Sequence, residues 1–147
     1  MLHNKLPPNI TLIERFTRAN TVMVDGLESH VVLEVKLEKG FFYRIGDIDE
    51  LHAKSMICVG EGNQSALVDI FLTSKEGNYL VPYISRAPIK PNDGFMIPTE
   101  YSPILSGDNN SVVIRAQTRK VMTDDGNKAF ATVTANLCFY KFLIEGK

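Results

Sequence analysis

A chain of 147 residues, 44% of them hydrophobic and 22% charged, is the size of one domain with one core and is too apolar for a disordered tail. Sixteen basic against 17 acidic residues leave a net charge of −1, and the basic residues are scattered, which argues against the concentrated basic face of a nucleic-acid binder. No apolar run approaches the ~20 residues of a membrane-spanning helix. Met1-Leu2-His3-Asn4-Lys5 lacks the basic-then-apolar layout of a cleaved leader, so the chain reads as made in the cytoplasm.

In chain order, Met1 to Asn9 carries Pro7-Pro8, which stiffens the backbone and supplies no ladder donors. Residues 1–9 therefore read as an extended arm, of the kind that reaches a neighbour in an assembly and frays when free. Residues 10–147 read as the folded domain. Ile10 to Phe16 admits a short helix capped by Asn9 or a strand in which Ile10, Leu12 and Glu14 alternate, and strand is preferred. Thr21–Val24, a turn at Asp25-Gly26 and His30–Leu37 follow as strand, turn, strand. Lys39-Gly40 closes that unit and Phe41–Ile45 opens the next. Gly46 to Glu50 reads as a turn rolling into one helical turn through Leu51 and His52.

Lys54–Val59 and Ser65–Thr73 are strands around a loop at Gly60-Glu61-Gly62-Asn63. Glu76-Gly77-Asn78 turns into Tyr79–Ile84, where Pro82 marks an edge strand or a strand that ends early. Pro88 to Gly94 and Pro98 to Pro103 are connections around a short strand at Phe95–Ile97. The most legible stretch is the last. Asn110–Val121 places Val112, Ile114 and Ala116 opposite Arg115, Gln117 and Arg119. After Asp124-Asp125-Gly126-Asn127, Lys128–Leu143 places Val133, Ala135, Leu137 and Phe139 opposite Thr132, Thr134, Asn136 and Tyr140. Asp-Gly between two alternating runs predicts a hairpin, one face apolar and one wettable. Some nine or ten short strands, with no amphipathic helix of four turns, predict an all-β single-domain antiparallel β-sandwich, jelly-roll-like or immunoglobulin-like, with little helix.

No residue set points to chemistry. His3, His30 and His52 have no ligand partner at short spacing, as a metal site would show. Asp47, Asp49 and Glu50 are cut off by Leu51 and His52 before a calcium loop of ~12 residues could form. Gly60-Glu61-Gly62 lacks the third glycine and the following helix of a phosphate loop. Cys58 and Cys138 read as buried thiols, and the sequence leaves their pairing open. There are no catalytic, cofactor-binding or metal-ligating residues to name, no cofactor is implied, and the chain reads as a non-enzyme. Exposed tyrosines (Tyr79, Tyr83, Tyr101, Tyr140) and arginines fit either a docking face or an ordinary solvated sheet.

From Ala53 to Ala116 the order of motifs resembles small structural proteins of tailed bacteriophage virions. The residues that carry the likeness are Lys54–Val59, Ala66–Leu72, Asn78-Tyr79-Leu80-Val81, Ala87-Pro88-Ile89-Lys90-Pro91-Asn92-Asp93, and Pro103-Ile104-Leu105-Ser106-Gly107-Asp108 before Val112–Ala116. The spacing Gly107–Ser111 is longer than in that pattern, and the C-terminal strand pair is extra. The resemblance implies a decoration, neck or tail accessory subunit that docks on other virion proteins (capsid, neck or tail) and is oligomeric in the particle. It implies no catalytic residue, nucleic acid or membrane, a place in the virion, and synthesis in the bacterial host cytoplasm. Two other readings fit less well. A hotdog-type acyl thioester enzyme needs a long central helix that Ile10–Arg18 is too short to supply. A carbohydrate-binding β-sandwich would stack sugars on aromatics, and the chain has no tryptophan. Independently of any family, Gly107-Asp108 is a tight turn into a strand, with Asp placed to bond backbone N–H groups two residues on.

Overall fold

The computed structural model describes residues 9–46, 54–73, 80–99, 102, 104–108 and 111–145. The expected arm (apart from Asn9), the helical turn after Gly46 and the turn at Glu76-Gly77-Asn78 lie outside the described residues. The described residues form ten strands: β1 (Ile10–Asp25), β2 (His30–Lys36), β3 (Phe42–Gly46), β4 (Met56–Gly62), β5 (Ala66–Thr73), β6 (Leu80–Ile89), β7 (Asp93–Met96), β8 (Leu105–Ser106), β9 (Ser111–Thr118) and β10 (Phe130–Ile144). They form two antiparallel sheets. One is built on β10, the other runs β2-β9-β5-β6. Among the described residues there is no helix, and Ile10–Arg18 lies within strand β1.

The β10 sheet has an unusual economy. β1 pairs with β10 along its length on one edge, Ile10 opposite Ile144 and Asp25 opposite Phe130. On the other edge β3 takes Cys138 to Phe142 and β4 takes Ala131 to Asn136, so β3 and β4 lie end to end as one interrupted strand. β8 and β7 flank them in turn. Counted this way, the strands nest as β1·β10, β2·β9, β3/β4·β8/β7 and β5·β6, a long hairpin rolled up into a jelly roll. Ser55 mends the seam between β3 and β4. Its buried hydroxyl donates to Gly46 O at 2.7 Å and accepts from Cys138 N–H at 2.9 Å.

This order corrects the hairpin expectation. β9 and β10 do not pair, and β9 lies between β2 and β5 in the opposite sheet. The turn forms as read: Gly126 has φ +86, Thr123 N–H donates to Asn127 O at 2.8 Å, and a single bridge joins Met122 and Lys128. Beyond it the chain crosses between sheets. The alternation nonetheless matches the inner faces, since Val112, Ile114, Val133, Ala135, Leu137 and Phe139 are fully buried. Three further differences are local. Ile10–Phe16 and Thr21–Val24 are one strand. β6 runs on through Pro88 at the edge of its sheet, so of the two readings of Pro82 the edge strand holds and the early end does not. Gly60 to Gly62 belong to β4, at a bulge opposite Ala131 and Val133. Phe139 stacks on Phe16 at 5.2 Å and meets Tyr43 edge-on, joining both sides of β10 in one aromatic cluster.

Gly107-Asp108 also acts beyond its own turn. Asp108 Oδ1 accepts from Gly40 N–H at 2.8 Å, binding the β2–β3 loop across the end of the sandwich, and the expected bond to the N–H two residues on, at Asn110, lies outside the described residues. Gly107 donates to Phe41 O at 2.8 Å and lies so close that a Cβ there would sit 1.9 Å from Glu38 O. Glycine is required by close approach. Gly107→Ala should therefore cost at least ~2 kcal/mol in denaturant unfolding, because the obstacle is backbone. Gly60→Ala, where a Cβ meets nothing within 4 Å, should leave stability unchanged or slightly raised.

Lys141 plugs the same end. Its ammonium donates to Glu38 Oε1 at 2.8 Å, lies 4.0 Å from Glu14 Oε2 and sits 4.1 Å from the centre of the Phe41 ring. The hydrogen bond to Glu38 raises the Lys141 pKa above its ordinary 10.5, outweighing burial. A cation whose pKa rises on folding stabilises fully below its unfolded value and loses that contribution as pH climbs through the folded one. Melting temperature should thus fall more steeply above pH 10.5 in the natural chain than in Lys141→Met, measured by circular dichroism across that range.

Candidate docking surface

With the inner faces buried, the outer faces decide what the molecule can touch. On the β2-β9-β5-β6 sheet, Arg115 and Asp69 are tied down locally. Arg115 Nε donates to Ser29 Oγ at 3.0 Å, and Asp69 Oδ1 accepts from Arg86 N–H at 2.8 Å, where Arg86 has φ +50 and breaks the ladder. Leu67 and Val113, pointing outward, are already buried.

The outer face of the β10 sheet differs. Directly opposed residues share a face, so the ladders place Thr21, Thr134, Cys58 and Gly94 in one row, and Ala19, Asn136, Met56 and Met96 in the next but one. Neither row holds a charge. Thr21 and Thr134 share a hydrogen bond of 2.8 Å, and Asn136 Nδ2 donates to Lys54 O at 2.7 Å. Met23 and Met96 stand 59% and 51% exposed at opposite sides. Flexible thioethers beside uncharged rows can fit a partner's contour without desolvating charge.

Toward the far end of the face, Arg15, Tyr140 and Arg44 share a row. The Arg15 guanidinium carbon stands 5.7 Å from the centre of the Tyr140 ring. Gly46 makes room for that ring, since a Cβ there would approach Tyr140 Cε2 to 2.9 Å. Phe142 continues the aromatic edge at 6.3 Å. Arginine, tyrosine and methionine on one face are the residue types enriched at protein contacts. Of the tyrosines singled out from sequence, Tyr140 lies in this face. Tyr79 and Tyr101 fall outside the described residues, as do His3, His52, Asp47, Asp49 and Glu50.

The remaining candidates serve structure. His30 Nε2 lies 3.7 Å from Asp25 Oδ1, and Lys128 Nζ lies 2.9 Å from Asp25 Oδ2; the Lys128 hydrogen bond holds the Asp25 carboxyl below its ordinary range. Cys58 and Cys138 are free thiols, Cys138 buried. Asp125 accepts from the Thr123 hydroxyl and from Asn127 N–H, closing its own turn. Among the described residues no three His, Cys, Asp or Glu side chains converge.

No protein-family model matches the sequence, and no curated protein matches it. Solved structures do share its architecture. A chain in the structure of infectious bursal disease virus, Gx strain, aligns with 100% of this chain and 38% of its own, with a TM-score of 0.54 at 7% identity. A chain in the crystal structure of the VP2 subviral particle of that virus aligns with 91% of this chain and 33% of its own, TM-score 0.55, 9% identity. A chain of T=1 particles derived from infectious bursal virus aligns with 90% and 32%, TM-score 0.52, 6% identity. At such identities the likeness shows the fold. The chain spans about a third of the length of those it matches. The β-sandwich that the tailed-phage resemblance implies is present, and the similar structures named here are of infectious bursal disease virus.

If the outer face is for contact rather than for stability, Met23→Ser and Met96→Ser should each change unfolding free energy by less than about 0.5 kcal/mol. Phe139→Ala, on the inner side of the same sheet, should cost ~3–5 kcal/mol in the same denaturant titration.

Proposed function

We propose that this protein is a non-enzymatic structural subunit of a virus particle, docking through the outer face of its β10 sheet. The observation that carries the reading is the match of 90–100% of the chain to the fold of chains from virus particles. The residues support it from the other side. The outer face of the β10 sheet carries two adjacent rows without a charge, flanked by the exposed Met23 and Met96, and an Arg15, Tyr140 and Arg44 row toward its far end.

The finer assignment is to a tailed bacteriophage, as a decoration, neck or tail accessory oligomer in the virion, made in the bacterial host cytoplasm. It rests on the motif order from Ala53 to Ala116, whose described parts lie on β4, β5, β6, β8 and β9. Residues 1–9 then act as the arm that reaches a neighbouring subunit.

Mass spectrometry of purified particles should find the chain at a fixed multiple of the other components, and its absence from particles would overturn the reading. Tyr140→Asp should lower its copy number in particles while the purified variant keeps the β-sheet circular dichroism of the natural chain. Unchanged incorporation would remove the β10 face from the docking role.

A further inference from the structure

One end of the sandwich gathers the β1–β2 turn, the β4–β5 turn, the β6–β7 turn and the β9–β10 loop. Hydrogen bonds weld these pieces together. Asn63 donates to Lys128 O at 2.9 Å and accepts from Phe130 N–H at 2.9 Å, fixing the β4–β5 turn to the β9–β10 loop. Asn92, at φ +65, donates its N–H to Val59 O at 2.8 Å and so sets the β6–β7 turn. Thr118 N–H donates to Gly26 O at 3.0 Å, fixing the β1–β2 turn.

Two open basins lie side by side on this rigid end and share Asn63 and Gln64 as a common wall. The first is walled by Lys90, Arg119 and Lys120 with no carboxylate among its lining residues. The second holds Asp124 and Asp125. Internal pairing cancels little of this separation. Lys120 and Asp124 approach to 3.4 Å with side chains 58% and 98% exposed, and among the described residues Lys90 and Arg119 have no ion-pair partner. Beside the basins, Val121 and Met122 of the β9–β10 loop are 55% and 52% exposed.

Opposite charges on either side of a shared wall are self-complementary under a two-fold rotation about that wall, which carries each cationic basin onto the partner's acidic one. We propose that this end is a two-fold contact between two copies of the chain, with Asp124 of each seated against Lys90 and Arg119 of the other. A protein occupant, rather than a small anion, is favoured by the exposed Val121 and Met122, which such a contact would cover. The contact rests on the structural-subunit reading and names one of the surfaces through which copies would meet.

Sedimentation equilibrium of the full chain at ~20 mM salt should show a dimer that weakens tenfold or more at ~1 M salt, where the screening length falls to ~3 Å. The double variant Lys90→Glu, Arg119→Glu should be monomeric, and so should Asp124→Lys. Mixed in equal amounts, the two variants should dimerise, because both basins then face their opposites. Asp124 is almost fully exposed, so its variant should keep the natural melting temperature even if the double variant does not. A natural chain that stays monomeric at low salt, a dimer indifferent to either variant, or a mixture that fails to associate with both variants folded would overturn the contact. A monomer that is still present in particles at a fixed ratio would overturn this contact and leave the structural reading standing.

Discussion

The structure depends on the saturation of β10. Its inner residues from Ala131 to Phe139 at alternate positions are fully buried, and both of its edges are occupied over most of their length. A central strand of 15 residues cannot leave its amides unpaired in an apolar interior, since an orphaned buried group costs ~1–3 kcal/mol. β1 matches it in length and takes one edge. Among the described residues no other strand is long enough for the second edge, so β3 and β4 share it, and the junction falls at a residue with a side-chain donor and acceptor. Ser55 supplies both, to Gly46 O and from Cys138 N–H. The split strand, the nested pairings outside it and the placement of the remaining loops all follow from filling the second edge of one strand.

Once β10 is enclosed in its own plane, only two directions remain. The inner one is closed by the opposite sheet and the Phe16, Tyr43, Phe139 cluster. The outer one carries Thr, Asn, Met, Arg and Tyr in rows set by the ladder. Burial on one side and wettable, mostly uncharged side chains on the other is the arrangement a strand pattern of period two produces. At the flank, Asn20 reaches Val32 O at 2.9 Å and Arg18 lies 4.7 Å from the Phe16 ring centre, so inward polar groups close the gap between the sheets beside β1. Polar groups in that position also discourage indiscriminate pairing along an edge strand of 16 residues.

Much of this was legible in the sequence, and the part that was not has a common cause. Alternation reports which side of a strand is buried, and it placed Val112, Ile114, Val133 and Phe139 correctly. It does not report which strand lies alongside. Asp124-Asp125-Gly126-Asn127 has the composition of a hairpin turn and forms one, yet its flanking strands find better partners far away in sequence: β2 and β5 for one, β1, β3 and β4 for the other. β1 was broken in two because Arg18 and Asn20 interrupt its apolar positions, and only the tertiary position of that flank explains polar residues there. Tyr140 was visible as a candidate contact residue. Arg15 and Arg44, which make a row with it, are brought there by ladders that no local pattern encodes. The same holds for Lys90, Arg119 and Asp124, which looked like scattered charge until three loops were drawn to one end.

Gly107-Asp108 shows how a local motif can serve packing as well as its own turn. Its residues suit a tight turn, and a turn is present. The aspartate's carboxylate also takes Gly40 N–H, and the glycine is needed because Glu38 O occupies the space of a side chain. Turn chemistry would tolerate Asn or Ala at such a glycine at modest cost; backbone contact does not. A motif of this sort persists for a reason that belongs to the packing of the β2–β3 loop against the strand-entering segment. Two β proteins can therefore share Gly-Asp before a strand while owing it to different contacts. The likeness from Ala53 to Ala116 thus draws more weight from the order of its strands than from this pair of residues.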